Sequence, residues 1–227
     1  MEKYANIFAV EIKTCMKIYM QPETQLITTN LDDLHEMEAF CWQLIAEAAS
    51  NRKIAMHQPV VATAVDGIAH MRTVVLRRTD ADRRAVYFHT DYRSHKLDDI
   101  QQTGNLSWLF YDQNISVQIR LSGPTIIHHM DELAAVHWQK TGHHSRRCYI
   151  QSLSPSTVVE TPGTGLDHEL ATFDYSLKES EKGFENFTVI ETQTTWMEWF
   201  YVHHEGNRRA RFTYENGKVN SAAWLIP

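Results

Sequence analysis

An antiparallel β protein with added helices, α+β in class, is what this chain predicts, and three observations carry the expectation. Apolar, β-branched and aromatic runs of strand length recur from Pro59 to the C-terminus. Two of the gaps between them hold Asp66-Gly67 and Asn216-Gly217, dipeptides that accept the positive φ angles of a tight hairpin. Helical-period stripes are confined to segments between and around those runs. A six- or seven-strand sheet must protect its edges, so a closed or nearly closed barrel with peripheral helices is expected.

In chain order, Asn30 is positioned to cap a helix over about Leu31 to Ala49, with Leu34, Met37, Ala39, Cys41, Leu44, Ile45 and Ala48 as its apolar stripe. A strand over Pro59–Val65 turns through Asp66-Gly67 into a second over Ile68–Arg78, and Ala85–Thr90 returns. Ser94 then reads as an N-cap, with Leu97 and Ile100 as the buried face of a short helix ending near Gly104. Leu106–Asp112 and Ile115–Ile127 form the next hairpin through Asp112-Gln-Asn114. Asp131–Gln139 and Leu166–Lys182 read as helices around a loop rich in Pro, Ser and Gly. Phe187–Val202, Arg208–Tyr214 and Lys218–Ile226 close the chain as a meander.

Length and charge narrow the function classes. The 227 residues read as one domain over 29–227, with 1–28 left without a role. A net charge of -6 argues against a nucleic-acid or anionic-membrane surface, while local arginine clusters still suit a single phosphate ligand. The three cysteines form no C-x-x-C pair and leave an odd thiol, as expected in a reducing, cytoplasmic setting. The apolar N-terminal stretches are interrupted by Glu11, Lys13 and Lys17, so neither a signal peptide nor a membrane span is expected. Small molecules are the expected partners.

Chemistry concentrates in Arg72-Thr-Val-Val-Leu-Arg77, in Tyr87-Phe-His-Thr-Asp-Tyr-Arg-Ser-His-Lys96, and at Gln118 in Ser116-Val-Gln-Ile-Arg-Leu-Ser-Gly123. Cations and hydroxyls at the ends of apolar strands suit a phosphate pocket and not a core. The first turn of the helix after Ser94 adds unpaired N–H groups and a positive dipole end. The order of these pieces resembles the pyridoxamine 5'-phosphate oxidase superfamily, whose members bind FMN in a split β-barrel. The resemblance runs from about Leu34 to Pro227 and includes Trp199-Phe-Tyr201, Arg211-Phe-Thr-Tyr214 and Trp224-Leu-Ile-Pro227.

What the resemblance implies is specific. Arg72 and Lys96 would grip the FMN phosphate, with Thr90 and Ser94 as hydroxyl donors, His95 where relatives often carry arginine, and His89 beside them. Gln118 would bond the flavin ring, the backbone of Val74, Val75 and Leu76 would line its edge, and Arg211 would sit at its pyrimidine end. Strand alternation lets Arg72 and Arg77 face one ligand only across a bulge, so Arg72 is the firmer candidate. A homodimer holding FMN between two barrels and performing two-electron redox chemistry on a small-molecule substrate is the implied assembly.

The pattern departs from true pyridoxamine 5'-phosphate oxidases at the substrate. Their Arg-x-His pair is matched by Asn207 and Arg209, and the tyrosine and arginine on the vitamer phosphate by His137 and Thr141, with Ser145 alone retained. An arginine replaced by threonine gives up a contact worth about 1.5 to 3 kcal/mol, which argues against that substrate. Arg77, His137, Ser145 and Arg209 are the candidate substrate residues. Two alternatives stay open: an FMN carrier or sensor without turnover, and a split barrel binding haem through one of the 13 histidines. The doublets His128-His129, His143-His144 and His203-His204 lack the i, i+4 spacing of a helical zinc site, so no metal is expected. Trp196–Tyr201 reads as barrel core and dimer contact, with Tyr201 as a weaker cofactor contact. Cys41 reads as a small buried apolar group.

Overall fold

The computed structural model describes residues 32–204 and 206–227; residues 1–28, and with them Asn30 and Leu31, lie outside the described part. The first helix, α1, spans Leu34–Ser50, and Asp33 caps it by accepting from the N–H groups of His35 and Glu36. Its inner face buries Met37, Phe40, Cys41, Trp42, Ile45 and Ala48. Trp42 Nε1 donates to the Tyr214 hydroxyl at 3.1 Å, and that hydroxyl donates to Glu38 at 3.0 Å, fastening the helix to the last hairpin. Burial pushes the Cys41 thiol well up, so it stays protonated and apolar.

Among the described residues ten strands follow: β1 Val60–Val65, β2 Ile68–Thr73, β3 Leu76–Asp80, β4 Ala85–Asp91, β5 Asn105–Asp112, β6 Val117–His129, β7 Phe187–Gln193, β8 Trp196–Tyr201, β9 Arg208–Glu215 and β10 Lys218–Leu225. All pairings are antiparallel, and β6 is the branch point. Its first half, Val117–Ser122, pairs β8, and its second half, Thr125–His129, pairs β7. One arm therefore runs β10-β9-β8-β6-β5-β1-β2 and the other β6-β7-β4-β3. The arms wrap a common core without closing, which makes a split β-barrel.

The eight strand runs read along the sequence, more than the six or seven expected of the sheet, become ten among the described residues because two that read as continuous each change arms. The run Ile68–Arg78 breaks at Val74 and Val75, where the Val74 N–H leaves the ladder to bond Pro59 O at 2.9 Å. Phe187–Val202 breaks at Thr194 and Thr195, whose N–H groups bond Arg84 O at 2.8 Å and Ser122 O at 3.0 Å, one on each arm. At the branch point a Cβ on Gly123 would stand 1.8 Å from Gln193 O, so only glycine allows the arms to approach. Both predicted hairpin dipeptides turn with positive φ: Asp66 at 52° with Gly67 at 78°, and Asn216 at 52° with Gly217 at 74°.

Helices cover what the barrel leaves open. Helix α2, Lys96–Thr103, packs beside β1 and ends at Gly104, with φ of 65°. Helix α3, Glu132–Lys140, is capped by Asp131; α4, His143–Ile150, falls in a segment expected to be loop. The helix expected over Leu166–Lys182 is instead α5, His168–Thr172, and α6, Leu177–Ser180, followed by a 3-10 turn over Glu181–Asn186. A second, smaller core of Tyr87, Ala134, Trp138, Tyr149, Phe187 and Val189 lies between α3, α4 and the outer face of β4 and β7. Among the described residues no helix is long and apolar enough to cross a membrane.

Candidate functional site

Alternation along β4 divides its residues between two environments. Phe88 belongs to the barrel core and Tyr87 to the small helix-covered core, so Thr90 points with Phe88 and His89 with Tyr87. After β4 the chain turns on Asp91, whose carboxylate accepts from the N–H of Arg93 at 2.8 Å and whose carbonyl accepts from the N–H of Ser94 at 3.1 Å. Helix α2 then begins at Lys96 with His95 at its cap, and neither His95 nor Ser94 caps it through a side chain. Ser94 does something else. Its Oγ accepts from Lys96 Nζ at 2.6 Å, and Thr90 Oγ1 accepts from the same ammonium at 2.8 Å.

Lys96 thus meets hydroxyls and, among the described residues, no carboxylate at ion-pair distance; nearby Asp91 is clasped by Arg93 at 2.7 Å. Burial first, and then the Arg72 charge, lower the Lys96 pKa, with Asp91 acting against them. Arg72, on β2, donates through Nη1 to Thr63 Oγ1 at 3.0 Å and through Nη2 to Asp99 Oδ2 at 3.1 Å. Two cations, two hydroxyls and the first turn of α2 therefore share one corner of the barrel, as the sequence order implied. His95 stands at its edge, its side chain 78% exposed, with Nδ1 3.5 Å from Asp98.

The remaining candidates divide. Val74 and Val75 lie in the break between β2 and β3 and belong to neither ladder, whereas the Leu76 side chain is fully buried in the core. A register shift between Leu76 and Arg78 takes Arg77 out of the ladder, and its charge acts on His89 and Tyr149. The bulge that would let Arg72 and Arg77 face one ligand is present, yet it sends Arg77 to the helix-covered side. His89 is there too: its Nε2 meets His137 Nδ1 at 2.8 Å, and its ring packs edge-on against Phe187. Burial, followed by the His137 and Arg77 charges, pushes His89 down to about 2; burial and the Arg78, Lys140 and His128 charges push His137 down to about 4. The two imidazoles are neutral and closed on each other. Ser145 is half-buried on α4, its N–H bonded to Gly142 O at 2.9 Å.

Gln118 lies on the outer face of β6, opposite Tyr111 on β5 and Phe200 on β8. Arg120, Arg209 and Arg211 share that face. Buried Glu198 takes two of them: Arg209 Nη2 at 2.8 Å and Arg120 Nη2 in a short contact. Burial raises the Glu198 carboxyl, but hydrogen bonds from Arg209 and Arg120 bring it below its usual range. Arg209 is thereby spoken for, while Arg211 is exposed and among the described residues makes no ion pair. Tyr201 is buried in the core against Trp199, and Phe200, not singled out beforehand, is with Tyr111 an aromatic neighbour of Gln118.

Sequence reasoning also missed Thr63, Asp99, Arg120 and Glu198. Their only signals were an acidic first turn in α2 and a charged residue at the alternate position from Gln118; neither names a partner. Among the described residues no group of histidine, cysteine and carboxylate side chains could hold a metal ion.

A split barrel, with a cationic corner at a helix start and a polar sheet face beside it, is the class that the fold defines. Residues 39–129 match the model of the family described as pyridoxamine 5'-phosphate oxidase, FMN-binding domain. The fold is similar to that of a pyridoxamine 5'-phosphate oxidase-related, FMN-binding protein from Nostoc punctiforme (TM-score 0.67, 18% identity, 83% of this chain and 96% of that one). It is likewise similar to PhzG from Burkholderia lata in complex with tetrahydrophenazine-1-carboxylic acid (TM-score 0.65, 17% identity, 90% of this chain and 98% of that one).

Proposed function

We propose that this chain is an FMN-binding flavoprotein that performs two-electron redox chemistry on a small-molecule substrate, as a homodimer with FMN between the two barrels. The observation that carries the reading is Lys96, a half-buried ammonium held by Thr90 and Ser94 with Arg72 close by and, among the described residues, no carboxylate at ion-pair distance. That donor set fits a phosphate dianion, which supplies the missing counter-charge and accepts from hydroxyls and helix N–H groups alike.

Lys96, Arg72, Thr90 and Ser94 would hold the phosphate, Gln118 the ring amide edge, and Arg211 the pyrimidine end, with the backbone of Val74 and Val75 along the ring. Bound FMN supplies reversible hydride acceptance; the chain supplies position, fixed charge and exclusion of water. The homodimer draws support from the outer sheet face, where Met71 is 70% and Tyr111 49% exposed beside half-buried Leu109 and Phe200.

A second reading, FMN binding without turnover, is favoured by one observation: Arg209 is committed to Glu198, and Thr141 spends its hydroxyl on His137 O at 2.9 Å, so neither is free for a substrate anion. Absorbance of the purified protein from 300 to 700 nm, with mass spectrometry of any released ligand, is the test. Flavin bands and released FMN are expected; a Soret band without flavin, or a colourless chain that takes up no added FMN, overturns the reading. Reoxidation of the bound flavin no faster than free FMN selects the carrier over the enzyme, and light scattering at micromolar concentration reads the dimer.

A further inference from the structure

The two cations of the phosphate corner are held differently. Lys96 rests on hydroxyls, whereas Arg72 is tied to a carboxylate, and a carboxylate beside an anion site opposes the anion by charge. We infer that Asp99 is a positioning residue for the FMN phosphate, holding the Arg72 guanidinium at the corner against its repulsion from Lys96; the inference rests on the FMN reading above.

The geometry is that of a clamp. Asp99 Oδ2 accepts from Thr63 Oγ1 at 3.0 Å, His70 Nδ1 at 2.9 Å and Arg72 Nη2 at 3.1 Å. Thr63 Oγ1 in turn accepts from Arg72 Nη1 at 3.0 Å, so both terminal nitrogens of the guanidinium are fixed, one from β1 and one from α2. Of the five N–H groups of an arginine, these bonds occupy two and leave three for an anion. Asp99 sits three residues after Lys96 on the same helix, so the clamp also sets Arg72 relative to Lys96. The two charges feel each other, since Arg72 helps lower the Lys96 pKa. Without Asp99, like-charge repulsion and the rotamer freedom of a long side chain both favour an Arg72 swung away from the corner. Burial raises the Asp99 carboxyl, but bonds from His70, Thr63 and Arg72 bring it below its ordinary value, so it is an anion at neutral pH and its bonds to Arg72 persist.

Positioning and simple charge competition predict opposite signs. If Asp99 only neutralised Arg72, its removal would tighten FMN; if it aims Arg72, removal loosens FMN although a negative charge has gone. FMN and riboflavin are titrated into the full apo chain by fluorescence quenching, for wild type, Asp99→Asn, Arg72→Ala and the double variant. Asp99→Asn is expected to weaken FMN about tenfold, leave riboflavin unchanged, and reduce the salt dependence of binding to that of Arg72→Ala. In the Arg72→Ala background it is expected to weaken FMN no further.

Equal or tighter FMN binding by Asp99→Asn overturns the inference, and so does a loss that persists without Arg72 or extends to riboflavin. Should Asp99→Asn fail to fold, Thr63→Val removes the other half of the clamp at constant volume, with a smaller loss of the same Arg72-dependent kind expected; no loss, or one independent of Arg72, overturns the inference. A wild-type chain that binds no FMN brings down the reading itself, a different result from a wild type that binds while Asp99→Asn binds equally well.

Discussion

Two faces of one strand, β4, make the instructive contrast. Toward the barrel, Thr90 meets Lys96, a cation whose partners are neutral hydroxyls. Toward the helices, polar groups are paired with one another. His89 is bonded to His137, and Glu191, 1% exposed and the cross-strand partner of Tyr87, accepts from Arg83 Nη2 at 2.6 Å with His128 Nε2 at 3.3 Å. Arg83 also donates to the Tyr87 hydroxyl, whose pKa is pushed up to about 12 by burial and the Glu191 charge. A buried network of mutually paired groups serves the fold; under the proposed function, a cation with no carboxylate at ion-pair distance among the described residues awaits an anion. Under the proposed function, similar residue types on a single strand serve stability on one face and binding on the other.

The largest expected effect removes both faces at once. Gly123→Ala forces a methyl group into the Gln193 carbonyl where the arms diverge, and a loss of about 3 kcal/mol or more is expected in chemical denaturation. Next, Lys96→Ala separates the faces: FMN affinity should fall by about 2 kcal/mol or more while the apo melting temperature does not drop, because a desolvated, unpaired charge has been removed. An unchanged dissociation constant in isothermal titration would reject the corner as the phosphate site. Glu191→Ala is the converse, costing stability by about 1 to 3 kcal/mol and leaving FMN affinity as it was.

Acid sharpens the contrast further. His89 and His137 hold folded pKa values of about 2 and about 4, below the ordinary 6.5, so between pH 6.5 and 4 the unfolded chain binds more protons than the folded one. The stability from keeping them neutral is complete above 6.5 and is lost as pH falls toward 4 and, for His89, further down. Denaturation midpoints across that window should fall less steeply for His137→Asn than for wild type; parallel slopes would contradict it. The smallest effect is at His95, which is exposed: His95→Ala should change FMN affinity by less than about 0.5 kcal/mol, with binding slopes parallel to wild type from pH 6 to 9.

Much of this was legible beforehand, and the reasons are local. Asp66-Gly67 and Asn216-Gly217 turn where they do because their backbone conformations are set within the dipeptide, and α2 follows Ser94 because Leu97 and Ile100 form its buried face. The order Arg72, Thr90, Lys96 marks a corner that folding then assembles. Other features were invisible for equally physical reasons. Nothing in Arg72-Thr-Val-Val-Leu-Arg77 interrupts a β-branched run, and the break at Val74 exists because Pro59 O is there to take its N–H. Helix α4 carries no clean apolar stripe; its anchor is the buried Arg146, which donates to Trp138 O and Thr141 O at 2.9 Å and to Glu181 Oε1 at 2.5 Å.

By itself, then, the sequence determined what depends on a few neighbouring residues: the hairpins, the strand-rich α+β class, the stripe of α1, and the residue types that meet at the Lys96 corner. The tertiary structure alone decided which of those residues face one another. Asp99 reaches back 27 residues to Arg72, and Glu191 back 108 residues to Arg83. Such pairs form only after distant strands have settled their register, and period-2 alternation means that a single bulge, as at Arg77, sends a side chain to the opposite face.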